Sequence, residues 1–88
     1  MSRTVFCRKY REELPGLDAP PLPGGAGEDI FENVSAKAWQ EWQHVQTMLI
    51  NEHHLSMADR EARSYLSEQM RRFLANEDYD RPAGYVPE

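Results

Sequence analysis

Residues 35–55, SAKAWQEWQHVQTMLINEHHL, decide the fold. Ala38, Trp42, Val45 and Leu49 recur at i, i+4, i+7 and i+11, and Trp39 and Met48 widen the same stripe. That is the 3.6-residue period of an amphipathic α-helix, with no Gly or Pro to interrupt it. Ser35 is placed as an N-cap, its hydroxyl able to accept from one of the first free backbone N–H groups. Both tryptophans of the chain lie on this segment, so it contributes a large share of a small core and serves as the scaffold. Its opposite face carries Gln40, Gln43, Gln46, Thr47 and Asn51 in place of Lys–Glu pairs. An amide-rich face of this kind fits packing against another segment of the chain, which is the expectation. It also fits contact with a partner, for which Gln43, Gln46 and Asn51 are the candidates.

Outward from that helix the signals change. Residues 28–34, EDIFENV, suit a helix of one or two turns, with Glu28 and Asp29 at its positive N-terminal end and a break at residues 33–35. Residues 12–27 contain Pro15, Gly16, Pro20, Pro21, Pro23, Gly24, Gly25 and Gly27, a loop-forming tract that excludes a helix. A second strand near residues 17–22 could pair along one edge only, because its prolines lack N–H groups. Residues 3–10, RTVFCRKY, read as a short strand with Arg3, Val5, Cys7 and Lys9 on one side. On the far side of the scaffold, residues 56–59, SMAD, resemble a capping box. Ala62, Tyr65, Leu66, Met70, Phe73 and Leu74 then mark a second long helix to about residue 75, with Arg71 and Arg72 complementing its C-terminal dipole. A short hinge at residues 54–56 folds the two long helices into an antiparallel hairpin. Residues 76–88 form a partly mobile tail, which Tyr85 and Val86 could tie down. The resulting expectation is an α+β fold, a two-stranded antiparallel N-terminal ribbon with three helices, forming a single domain over residues 1–88.

Composition narrows the function. The chain has 88 residues, 40% hydrophobic and 28% charged, and a net charge of −5. Residues 1–25 are net positive (Arg3, Arg8, Lys9 and Arg11 against Glu12, Glu13 and Asp18), and residues 26–55 are strongly acidic. An acidic chain without a basic stripe argues against nucleic acid as a partner. There is no apolar run of membrane-spanning length and no signal-peptide pattern, so a cytoplasmic monomer is expected. A single cysteine, Cys7, excludes a disulfide framework and any CxxC site.

The groups able to carry chemistry are few. Cys7 is either a small buried hydrophobe or a free redox thiol. Arg3, Arg8 and Lys9 beside it would stabilise a thiolate if the sulfur is accessible, which is the expectation under the redox reading. Glu41 and His44 have the i, i+3 spacing of di-iron bundles, but only one such pair exists. Glu52, His53 and His54 are consecutive and diverge by about 100° per residue on a helix. Labile Fe(2+) binding by carboxylate, imidazole or thiolate remains open, with Cys7, Glu41, His44, Glu52, His53 and His54 as candidate ligands. No serine elbow, phosphate loop or HExxH is present, so no catalysis is expected.

SRTVFCRKY at residues 2–10, WQEWQ at 39–43, QTMLINE at 46–52 followed by Leu55 and Met57, and GYVP at 84–87 together resemble the YggX family of bacterial Fe(2+)-trafficking proteins. The resemblance implies a small cytosolic protein with a short N-terminal ribbon and three helices. It implies handling of labile Fe(2+), weakly and exchangeably bound, and protection of iron–sulfur proteins from oxidative damage. The implied partners are iron–sulfur proteins or their assembly machinery, with no membrane and no nucleic acid. Cys7 matches the family's thiol position, while no ligand set transfers. A non-catalytic interaction module acting indirectly on iron chemistry is the alternative.

Overall fold

The computed structural model describes residues 3–82. Strand β1, Thr4–Phe6, pairs antiparallel with β2, Glu13–Pro15, in the register Thr4↔Pro15, Val5↔Leu14, Phe6↔Glu13. The second strand therefore comes earlier than residues 17–22. The cause is a tight return at residues 8–11, where Arg11 adopts the left-handed region (φ 56°) and its N–H donates to the Cys7 carbonyl at 2.7 Å. This closes the ribbon before the chain reaches Pro20, Pro21 and Pro23. Val5 and Cys7 are buried on one side of the ribbon and Thr4 and Phe6 are exposed on the other, following the pleat.

Helix α1 spans Gly24–Asn33 and so includes glycines that the loop reading had excluded from helix. Each interior Gly costs a helix up to about 1 kcal/mol relative to Ala, yet Gly27 is required by its surroundings. A Cβ at position 27 would lie 1.7 Å from the Leu22 carbonyl oxygen. The early start also removes Glu28 and Asp29 from the first turn, which has no acidic residue. Instead Asp29 takes both oxygens to Arg8 at 2.8 Å, tying α1 to the turn after β1. Arg3 lies over the Phe31 ring at 3.9 Å and donates to the Leu17 carbonyl. Val34 leaves the helix in an extended conformation, so the break before the scaffold occurs as expected.

Helix α2 spans Ala36–His53. Ser35 Oγ accepts from the Ala38 N–H at 3.1 Å, which makes Ser35 the N-cap. The centre of the predicted stripe is buried, Ala38, Trp42, Val45 and Leu49 being at most 2% exposed, while Trp39 and Met48 at its margins are half-buried. Helix α3, Arg60–Leu74, is capped by Asp59, whose carboxylate accepts from the Glu61 N–H. The cap is Asp59 and not Ser56, whose carbonyl instead accepts from the Asp59 N–H within the connecting turn.

The chain comprises two compact units, residues 1–40 and 41–88, with the boundary inside α2. In the second unit Trp42 meets Phe73 (centroids 5.9 Å apart) and His53 meets Tyr65 (5.9 Å), so α2 and α3 run antiparallel. Ala62, Leu66, Phe73 and Leu74 complete that core, each large apolar side chain contributing roughly 2–3 kcal/mol by burial. Gln69 is buried, while Met70, the residue expected in its place, is half-buried. Gln69 Oε1 accepts from the Asp80 N–H at 2.7 Å. The tail is thus tied down through residues 77–82. Tyr79 meets Phe73 edge-on at 5.1 Å, Tyr65 donates to Asp80, and Pro82 is buried. Tyr85 and Val86, and the GYVP segment, lie outside the described residues.

Candidate functional site

Two places in the fold concentrate the groups that sequence analysis singled out. The first is Cys7, immediately after β1. Its side chain has no solvent exposure, which corrects the expectation of an accessible sulfur. The neighbouring cations are also engaged elsewhere: Arg8 pairs with Asp29 and Arg3 stacks on Phe31. What surrounds the sulfur is a set of hydrogen-bond donors. The Ser35 N–H reaches Sγ at 3.4 Å, and the Ser35 hydroxyl and the N–H groups of Lys9 and Tyr10 also point to it. Burial, the largest single influence, pushes the thiol pKa up; the hydrogen bonds together outweigh it and leave the pKa lowered. The influences that lower it are hydrogen bonds from Ser35, Lys9 and Tyr10 and not the charges of Arg3 or Arg8. Ser35 was legible as a cap, but its second role depends on the turn at residues 8–11 and on the β-bridge between Gly16 and Ser35.

The second place is a cleft of about 380 Å³ where α2 gives way to α3, lined by His53, His54, Leu55, Ser56, Asp59, Glu61, Ala62 and Tyr65. His54 is in the left-handed region (φ 53°), and this turns the chain sharply after α2. His53 and His54 both line this cleft. Both imidazoles are exposed. Asp59 and Glu61 add carboxylates that sequence analysis missed. The signal for them was the cap itself, an acidic residue at the start of α3 two positions before a second one. The Tyr65 phenol pKa is raised to about 12, first by burial, then by the hydrogen bond to Asp80 and by the charges of Asp80 and Glu52.

The remaining candidates are dispersed. Glu41 and His44 lie one turn apart on α2, the former half-buried and the latter exposed. Glu52 is exposed near the end of the same helix. Among the described residues no three His, Cys, Asp or Glu side chains converge closely enough to hold a metal ion. The amide face is solvated and not packed against the chain: Gln40, Gln43, Thr47 and Asn51 are exposed and Gln46 is half-buried. The Thr47 hydroxyl donates to the Gln43 carbonyl within the helix. Among the described residues no helix is long and apolar enough to cross a membrane.

A sequence profile of a family described as Bacterial Fe(2+) trafficking matches residues 1–88. This chain belongs to that family. The chain is 63% identical over 87 residues to the Probable Fe(2+)-trafficking protein of Pseudomonas paraeruginosa, covering 99% of this chain and 97% of the relative. It is 64% identical over 86 residues to the protein of that name from Saccharophagus degradans, covering 98% and 96%. The Alcanivorax borkumensis protein of the same name is 60% identical over 87 residues, covering 99% and 93%. These relatives are named as trafficking proteins and not as enzymes.

Proposed function

We propose that this chain handles labile Fe(2+) without turnover, holding the ion loosely and releasing it to iron–sulfur proteins or their assembly machinery, which it thereby protects from oxidative damage. The match of the whole chain to the bacterial Fe(2+)-trafficking family carries this reading. The cleft at the α2–α3 turn is the place in the fold that suits it chemically. Its lining includes the imidazoles of His53 and His54 and the carboxylates of Asp59 and Glu61, borderline and hard donors that suit ferrous iron; no three of them converge, so an ion there takes at most two side chains and completes its shell with water. Its open walls favour exchange, since an ion held by few protein ligands and several waters leaves quickly. The sealed Cys7 acts as a redox reserve reached only when its surroundings open.

An anaerobic Fe(2+) titration followed by NMR line broadening tests the assignment. Saturable broadening confined to residues 52–65 is expected, weakened about tenfold or more in His53→Ala/His54→Ala and unchanged in Cys7→Ser. Absence of saturable binding below about 1 mM iron overturns direct carriage. Loss of binding in Cys7→Ser moves the ion to the thiol. The exposed amides of Gln43 and Asn51 on α2 favour the second reading, a partner-recognition module whose effect on iron is indirect.

A further inference from the structure

Helix α3 has a chemically distinct outer face. Arg60, Arg63, Ser64, Ser67, Glu68 and Arg71 line a trough of about 440 Å³ along it. Their spacing places them on one stripe of the helix, opposite the buried Ala62, Leu66, Gln69 and Phe73. The two serines are short, so the floor of the trough lies low between arginines at its two ends. The acid at the C-terminal end is already committed: Glu68 binds both Arg71 and Arg72 at 2.8–2.9 Å, and Arg71 also reaches Glu77. The N-terminal end is different. Arg63 Nη1 donates only to the backbone carbonyl of Met57, at 2.9 Å, which leaves its charge unneutralised. Arg60 has no partner among the described residues. Met57, 45% exposed, provides an apolar neighbour to that carbonyl.

A basic stripe is therefore present on an acidic chain, contrary to the reading of the sequence as lacking one. Helix α3 carries Arg60, Arg63, Arg71 and Arg72 against Glu61 and Glu68, while the whole chain has a net charge of −5. Within residues 41–88 this helix is where cations outnumber carboxylates, so an approaching anionic segment is drawn to it in preference to the acidic surface beside it. Arg60 and Arg63 stand one helical turn apart, which matches two carboxylates at the same spacing on another helix. Each guanidinium, Arg63 with the N–H groups it does not spend on Met57, can take one carboxylate through paired donors. Nucleic acid fits less well, because it requires a longer row of cations and suffers the repulsion of the chain's net charge along its length.

We propose that the outer trough of α3 is a docking surface for an acidic helical segment of another protein, with Arg60 and Arg63 as the paired carboxylate receptors and Met57 as an apolar margin. The surface stands independently of where iron binds. It is tested with the full ¹⁵N-labelled chain and a synthetic alanine-based helical peptide of about four turns, with glutamates one turn apart. The Gln-for-Glu peptide is the control. Saturable amide shifts confined to residues 57–71 are expected with the Glu peptide and not with the Gln peptide. Affinity should fall at least about fivefold between about 50 and about 300 mM salt. Arg60→Ala, which removes no hydrogen bond or ion pair among the described residues, should weaken binding about threefold, and Arg60→Ala/Arg63→Ala about tenfold or more. Arg63→Lys keeps the charge and the reach to Met57, and should fall between those two. Four results overturn the proposal: shifts centred elsewhere, affinity unchanged in the double variant, equal shifts from inorganic phosphate or a short single-stranded DNA at the same concentration, or shifts that depend on protein concentration alone.

Discussion

The crevice around Cys7 and the cleft around His53 and His54 are built on opposite terms. At Cys7 the softest donor of the chain is held with zero exposure beside Ser35 and the turn at residues 8–11, with the Ser35 N–H donating to the sulfur at 3.4 Å. At the α2–α3 turn the imidazoles are exposed and share open walls with Asp59, Glu61 and Tyr65. The first arrangement lowers a pKa while denying access; the second grants access with little pre-organisation. Thiolate character and reactivity are thus separate properties, because reaction needs both the charged form and a path to it. A place that must load and unload an ion is better served by the second arrangement than by the first.

The contrast is broken most directly by chemistry at the two sites. Iodoacetamide should alkylate Cys7 in the native chain about a thousandfold more slowly than in denaturant, since reaction waits on local opening. Diethyl pyrocarbonate should modify His53 and His54 at close to the rate of free imidazole. A native thiol rate equal to the unfolded one would mean that the crevice opens freely and that the two sites do not differ in access.

Ser35→Ala sharpens the comparison from the side of the crevice. It removes the oxygen that accepts from the Ala38 N–H and the hydroxyl that donates to the sulfur. A loss of about 1–2 kcal/mol in urea unfolding is expected. The thiol pKa should also move up. Because the folded thiol titrates below its unfolded value, its contribution to stability is present above the unfolded pKa and fades as pH falls through the folded one. That slope should flatten in the variant.

The smallest effect lies at the cleft. Tyr65 titrates near 12 in the folded chain against an ordinary value of 10.0, the protonated phenol being held by burial and by Asp80. A raised folded pKa means that the contribution is complete below pH 10 and disappears as pH rises toward 12. Tyr65→Phe should abolish that alkaline slope in thermal melts and cost about 1 kcal/mol at neutral pH. An unchanged slope would remove the Tyr65–Asp80 bond from the account of how the tail is fixed.

The helical scaffold was readable because its signal is local and repeated: Ala38, Trp42, Val45 and Leu49 recur at the helical period and all are buried. Helix α3 was readable for the same reason, and its cap was displaced by only three residues. The ribbon and its first strand were readable, but the second strand was put too late, since the register depends on a left-handed Arg11 and nothing in an arginine announces that conformation. Helix α1 was shortened because Gly24, Gly25 and Gly27 speak against helix locally, whereas a tertiary approach demands at least one of them. The sulfur cradle and the His–carboxylate cleft share this origin. Both join residues that are distant in sequence or turned by one unusual backbone angle, and such placements carry no periodic trace.

Gly27 has a consequence for how this family can vary. With the Leu22 carbonyl 1.7 Å from where any Cβ would stand, position 27 accepts an alphabet of one letter for as long as the chain keeps its present route over the helix. A relative that spells this position differently must have rerouted the passage from Leu22 to Pro23 as well, so the two changes are expected to be inherited as a pair.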